Sequence, residues 1–323
     1  MKSISKIICV ALAASWSVAA HSQTYPDKPV RIMVGYAPGG GVDTTARMVG
    51  QALGELWGST VLIENRPGAA GNIATEATAK ATPDGYTLVL CNIGSHAVTP
   101  ARFAKKLTYD PIRDFAFPSM IGGVPNLFMV HPSMPTKTLK QFIAYAKANP
   151  GKVNYGSSGV GASPHLSIEL LKLMTGINIV HVPYKGAAVA LSDAMSGHIE
   201  ASVGNLAGAP LAAAKSGRVR ALGVTSARRN KQLPDVPTFA ESGVAGYDVT
   251  GWYGICTQSK VPPQIVAKLT ADLHKVLAGP LKGRLEEQGV EVTPTTPEQF
   301  VAHVKAEIGK WTKVISAAKL EGE

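Results

Sequence analysis

Apolar and polar positions along the chain switch repeatedly between a period of two and a period of about 3.6. Val30 to Val34, interrupted by Arg31, is an apolar run of strand length. Tyr36, Ala37, Pro38, Gly39, Gly40 and Gly41 follow it. Beyond Asp43, apolar residues fall at Ala46, Val49, Leu53 and Leu56, the spacing of one helix face, and Gly58 is a helix stop. This stretch therefore reads as strand, glycine-rich turn, helix. Thr60 to Glu64 predicts a second strand, Asn72 to Lys80 a helix and Tyr86 to Cys91 a third strand. Such alternation argues for a parallel sheet covered by helices on both faces, an α/β fold. The third strand runs into Asn92, Ile93, Gly94, Ser95 and His96, a second polar turn at a strand's carboxyl end. Open α/β sheets bind their ligands at that edge.

The pattern then starts again. Val124 to His131 predicts a strand that leaves the first unit, and Thr138 to Ala148 a helix ended by Asn149, Pro150 and Gly151. Val153 to Gly156 is a short strand, Ser157 to Ser163 a polar glycine turn, and Pro164 to Met174 a helix, with proline suited to its first turn. Ile177 to Val182 is a strand followed by Pro183, Tyr184, Lys185 and Gly186. Val189 to Met195 is helical, and His198 to Val203 is a strand that ends at Gly204 and Asn205. Val219 to Thr225 and Tyr247 to Thr257 are strands, and helices at Pro263 to Leu277 and Pro297 to Ala318 close the chain. The recurrence is architectural, with no sequence repeat.

Two turns of the same kind suggest one chemistry. A helix start leaves backbone N–H groups unpaired and carries partial positive charge. Glycine lets an anion come close to them. The first turn is neither a G-x-G-x-x-G fingerprint nor a phosphate loop, since Val42 and Asp43 follow the glycines and no Gly-Lys-Ser/Thr is present. An ordinary tight turn is the alternative. Arg47, four residues after Asp43, is placed to pair with it along the helix.

Composition narrows the function. The net charge is +10, but the basic residues are scattered, and the densest group, Arg228, Arg229 and Lys231, lacks interleaved aromatics. A nucleic-acid partner is not expected. Residues 1–22 carry a basic start (Lys2, Lys6), an apolar run from Ile7 to Ala20 too short to span a bilayer, and small residues for cleavage. They read as a signal peptide, which implies export. Cys91 and Cys256 remain, each in an apolar, strand-like run. An oxidising compartment permits a bridge, but two buried free thiols are favoured. His96, His165, His181 and His198 stand alone, without metal-ligand spacing, so neither a metal nor a cofactor is expected.

Several long segments carry a resemblance: YPDKPVRIMVGYAPGGGVD, ENRPGAAGNIA, TPDGYTLVL, YAKANPGKVNYGSSGVGASPHL, HVPYKGAA, VRALGVTSARR and LPDVPTFAESG. With them the chain resembles the periplasmic substrate-binding proteins of tripartite tricarboxylate transporters, the TctC or Bug-type family. The resemblance implies a two-lobed, type II periplasmic binding fold, each lobe a mostly parallel sheet flanked by helices. It implies a small carboxylate in the interlobe cleft, held between two loops, largely by backbone N–H groups and water, and delivered to membrane transporter subunits. Carried over, the loops are Tyr36 to Asp43 and Ser157 to His165. They supply Tyr36, Ala37, Pro38, Gly39, Gly40, Gly41 and Asp43 from the first and Ser157, Ser158, Gly161, Ala162, Ser163 and His165 from the second. Gly94, Ser95, Tyr184 and Asn205 are further candidates. Gly204 stands where many relatives have Asp, a change that bears on the identity of the ligand.

The expected division is residues 24–124 plus 245–323 for the first lobe and 125–244 for the second, in a monomer with no catalytic residues. Two other readings share the sequence. An exported hydrolase would use Ser158 and His165, but G-x-S-x-G is missing and no third partner is evident. An accessory that presents its ligand to a membrane sensor kinase would use the same cleft.

Overall fold

The computed structural model describes residues 25–103 and 107–317. The expected signal peptide, residues 1–22, lies outside the described residues. The strands in chain order are β1 (Val30–Val34), β2 (Val61–Asn65), β3 (Thr87–Asn92), β4 (Phe115–Val130), β5 (Asn154–Ser157), β6 (Val180–Pro183), β7 (Ala201–Asn205), β8 (Arg220–Val224), β9 (Thr250–Gln258) and β10 (Glu291–Val292). They form one continuous path, β2-β1-β3-β9-β4-β7-β5-β6, with β8 and β10 also paired to β4.

The first three strands pair in parallel through β1, as do β6, β5 and β7 through β5. Between these two groups the pairing is antiparallel, β3 to β9, β9 to β4 and β4 to β7. Strand β4 joins the groups. From Phe115 to Pro125 it lies against β9, and from Asn126 to Val130 it lies between β7 and β8. The chain crosses from one group to the other at Pro125 and Asn126 and crosses back between Thr225 and Val249, where the Val249 N–H donates to Thr225 O at 2.8 Å.

Helices cover the sheet. The Gly41–Trp57 helix buries Val42, Ala46, Val49 and Leu53, and ends at Gly58 with φ 62°, the stop expected from the sequence. The Leu139–Ala148 helix is capped by the Thr138 side chain, which accepts from Gln141 N–H. Short helices at Thr99–Phe103, Ala209–Lys215 and Leu281–Glu287 were not legible from periodicity, because seven residues or fewer give barely two turns of pattern.

The free-thiol expectation is corrected. Cys91 and Cys256 form a disulfide that links β3 to β9. In the ladder Cys91 faces Gly254 and Cys256 faces Val89, so the two cysteines are diagonal neighbours, with Cα atoms 5.9 Å apart. A sequence separation of 165 hides that register, which only the pairing of the third strand with the ninth creates.

Candidate functional site

The first glycine turn is built around a buried carboxylate. Asp43 accepts from the Gly39 N–H (2.9 Å), from Nε and Nη2 of Arg47 (2.9 and 3.0 Å) and from the Asn65 amide (2.9 Å). Burial alone would push its carboxyl up, but these donors hold it below the usual carboxylate range. Asp43 therefore fixes the loop and has no capacity left for a ligand. The left-handed backbone belongs to Gly39, φ 87°, whereas Gly40 is extended at φ −80°, so the conformational need for glycine is at Gly39.

This loop packs directly on the other half of the molecule. The Ala37 N–H donates to Lys185 O at 3.0 Å, and the Ala209 N–H donates to Gly39 O at 3.2 Å. Gly40 bridges to Gly208, and a Cβ on Gly41 would lie 2.8 Å from Ala207 Cβ, 3.0 Å from Tyr253 Oη and 3.2 Å from Asn205 Cβ. The two halves are closed on each other.

Under this contact lies a small cavity. Tyr36, Val42, Asn92, Ile93, Tyr253 and Gly251 line it from the first half with Trp252, and Ser158, Ser163, Pro164 and Asn205 from the second. Val42 belongs to the first turn of the Gly41–Trp57 helix, and Ser163 and Pro164 to the first turn of the Ser163–Thr175 helix. Two helix starts, one from each half, thus converge on one space. None of the lining residues is charged. The volume, ≈ 10 Å³, is about what one water needs, whereas small-molecule sites run to hundreds of Å³.

Several polar groups around the cavity are tied to one another, whereas the Trp252 Nε1–H and the Tyr253 hydroxyl have no partner among the described residues. Tyr36 Oη donates to Ala70 O (2.8 Å) and lies 3.3 Å from Asn92 Oδ1. Asn126 Nδ2 donates to Ser163 Oγ (2.9 Å), and Asn205 Nδ2 donates to Asn126 Oδ1 (3.0 Å), so the crossing strand holds both side chains. The Tyr253 hydroxyl is buried with no partner among the described residues. Burial pushes its phenol well above the usual range and keeps it a donor.

Of the residues expected from the sequence, Tyr36, Ser158, Ser163 and Asn205 line the cavity. Ala37, Gly39, Gly40 and Gly41 form the contact above it. Pro38 is in the same loop. Gly94 and Ser95 pack behind, where the Gly94 N–H donates to Asn92 Oδ1 (2.8 Å) and Ser95 Oγ meets His96 Nδ1 (2.9 Å). Tyr184 is turned away, its hydroxyl donating to Asp193 (2.6 Å). Ser157, Gly161 and His165 form the underside of the second loop, and Ala162 caps its helix. Val42, Asn92, Ile93, Pro164, Gly251, Trp252 and Tyr253 are not among the residues expected from the sequence. Asn92 lay in a turn already singled out, but the Gly251–Tyr253 segment reads only as strand.

Two halves joined by a crossing strand and closed over helix starts define a bilobal solute-binding protein. Residues 45–320 match the Tripartite tricarboxylate transporter family receptor. Protein BugT of Bordetella pertussis is 33% identical over 305 residues, 93% of each chain. Among solved structures, R. palustris Rpa4515 with adipate superposes with a TM-score of 0.88 at 36% identity, covering 91% of this chain and 98% of that one. MatC from Rhodopseudomonas palustris with bound malate gives 0.85 at 30% identity, over 90% and 100%. The chain belongs to the tripartite tricarboxylate transporter receptor family, TctC, and is a periplasmic solute-binding protein of that family. No helix of the described residues is long and apolar enough to cross a membrane.

Proposed function

We propose that this protein captures a small organic acid in the interlobe cavity and delivers it to the membrane subunits of a tripartite tricarboxylate-type transporter. The observation that carries the reading is the convergence of two helix first turns, one from each half, on a cavity whose lining has no charged side chain. Backbone dipoles, the Tyr36, Ser158, Ser163 and Tyr253 hydroxyls, the Asn92 and Asn205 amides and the Trp252 indole N–H then supply the polar recognition. Dipoles aimed at an anion favour it without a fixed guanidinium, which tolerates carboxylates of different shape. Charge-assisted hydrogen bonds contribute about 1.5–3 kcal/mol each, and four or five suffice for micromolar affinity after ordering costs. Relatives solved with adipate and with malate make dicarboxylates the first compounds to try.

The proposed ligand contacts are Tyr36, Gly40, Gly41, Ser158, Ser163 and Asn205 with Asn92 and Tyr253. The proposed lobes are residues 24–124 with 245–323, and 125–244. The experiment is a thermal-shift screen of carboxylates, followed by titration calorimetry on the hits. A ligand at 100 times its dissociation constant adds about 2.7 kcal/mol to stability. A panel of mono-, di- and tricarboxylates that leaves the melting temperature unmoved would refute the reading. Export predicts a periplasmic chain that starts near His21 or Gln23 by mass spectrometry, and a full-length cytoplasmic species would contradict it. Delivery predicts co-purification with the transporter's membrane subunits; retrieval of a sensor kinase in their place would favour the accessory role.

A further inference from the structure

The second cleft loop rests on a pair of closely packed, tilted imidazoles. His165 and His181 lie with ring centroids 4.1 Å apart, one on the Ser163–Thr175 helix and one on β6. Each holds a different glycine of the loop. The Gly161 N–H donates to His165 Nδ1 at 3.2 Å, so that nitrogen must carry a lone pair. Ser157 Oγ meets His181 Nε2 at 2.7 Å and accepts from the Gly159 N–H at 3.2 Å. Gly159 and Gly161 both sit at positive φ, 125° and 84°, a backbone that glycine alone adopts readily. Ser158, immediately before Gly159, and Ser163, two residues after Gly161, line the cavity.

We propose that neutral His165 and His181 are positioning residues that hold the second cleft loop in its binding conformation, and that a proton on the pair releases the loop and weakens ligand binding. The proposal rests on the cavity being the ligand site. A proton on His165 Nδ1 would set N–H against the Gly161 N–H and break that anchor. In the tautomer that leaves a lone pair on His181 Nε2, the Ser157 hydroxyl donates to it at 2.7 Å; a proton there reverses that bond and leaves the hydroxyl hydrogen only its long contact with Gly159 O, 3.4 Å. At 4.1 Å the rings do not tolerate two charges.

The groups around the pair favour the neutral state. Glu169 lies 3.8 Å from His165 Nε2, but it is already engaged by Lys172 at 2.9 Å and by the Tyr155 hydroxyl at 2.8 Å. Tyr155 stacks on His181 at 5.0 Å. Arg102, from the first half, adds positive charge toward both rings, as does Lys172. Burial first, and then these cations, hold His165 far below the usual imidazole range, and burial lowers His181 to about 4. The sign follows from linkage. A released loop binds the proton near pH 6.5 and the closed loop only near 4, so affinity is constant above about pH 6.5 and falls as pH drops from there toward 4.

The test measures dissociation constants for the best carboxylate of the screen at pH 7.5 and 5.0, in wild type and in the His165→Asn/His181→Gln variant. Asn and Gln offer an acceptor where the imidazoles do but take up no proton in this range. Wild type is expected to lose about tenfold or more in affinity at pH 5.0. The variant is expected to lose only what the ligand's own ionisation removes. His165→Leu, which lacks the acceptor, is expected to bind more weakly than His165→Asn at pH 7.5. An acid loss in the variant as large as in wild type overturns the proposal. A second readout needs no ligand: the amide NMR resonances of Gly159 and Gly161 in wild type should shift together between pH 7.5 and 5.0. Resonances that stay fixed across this range overturn the proposal even if the variant fails to fold. A screen without binders would sink the ligand-site reading alone, and the amide shifts would still decide the role of the histidines.

Discussion

Tyr253 shows how a single residue can serve binding at the expense of stability. Its hydroxyl is buried beside the cavity with no partner among the described residues, and a buried unpaired polar atom costs about 1–3 kcal/mol. Tyr253→Phe should therefore leave the unliganded protein as stable as wild type or more so, in chemical denaturation. The same change should weaken carboxylate binding by about 1.5–3 kcal/mol, the worth of a hydrogen bond to a charged group. Equal affinity in the two proteins would show that the hydroxyl does not reach the ligand. Gly41 makes the complementary case. A Cβ there would be 2.8 Å from Ala207 Cβ across the closed interface. Gly41→Val should prop the halves apart and cost at least tenfold in affinity, about 1.4 kcal/mol, with an unchanged circular dichroism spectrum. Unaltered calorimetric binding would mean that the halves need not meet at this point. The sequence marked Gly39, Gly40 and Gly41 together; their separate roles, positive φ, bridge and close approach, depend on which neighbour each one faces.

Among the elements, β4 is the least legible and the most consequential. The apolar pattern suggests a start near Val124, because Pro118, Gly122 and Gly123 interrupt the run before it. The strand in fact begins at Phe115. It accommodates the interruptions with register shifts between Ala116 and Ser119 and between Met120 and Gly122. Gly122 is required by β10, since a Cβ would sit 2.0 Å from Glu291 O. Strand β9 lies between β4 and β3, and the Cys91–Cys256 bridge fastens it to β3. Replacing both cysteines with alanine should lower unfolding free energy by about 2–5 kcal/mol. Urea denaturation under non-reducing conditions would measure it, and a loss below 1 kcal/mol, about the size of an ordinary surface substitution, would show that strand pairing alone fixes β9.

At the scale of the molecule, two crossings near Asn126 and between Thr225 and Val249 make a hinge. The Asn126 N–H donates to Thr225 Oγ1 (2.8 Å) and Thr225 Oγ1 donates to Val249 O (2.6 Å), so the two crossing strands are stitched at one level. If the cavity is the ligand site, as proposed, the two crossings and a space too small for an organic acid predict opening for entry and closure around the ligand. X-ray scattering of protein freed of ligand should give a larger radius of gyration than the complex. Identical radii, with binding verified by calorimetry, would rule out hinge closure as the response.

Local periodicity by itself determined the longer elements and their order: strand, glycine turn and helix recur because apolar spacing and the stop at Gly58 are properties of neighbouring residues. It also pointed to both loops, since glycine, serine and a helix start are adjacent in the chain. Only the tertiary structure decided what depends on residues far apart. It brought Cys91 to Cys256, set Tyr253 against Gly41, packed His165 on His181, and placed the Asp43 carboxylate where it accepts from the Gly39 N–H of its own loop. The physical reason is that side-chain spacing is read along one element, whereas the register between elements follows from burial and pairing of the whole sheet.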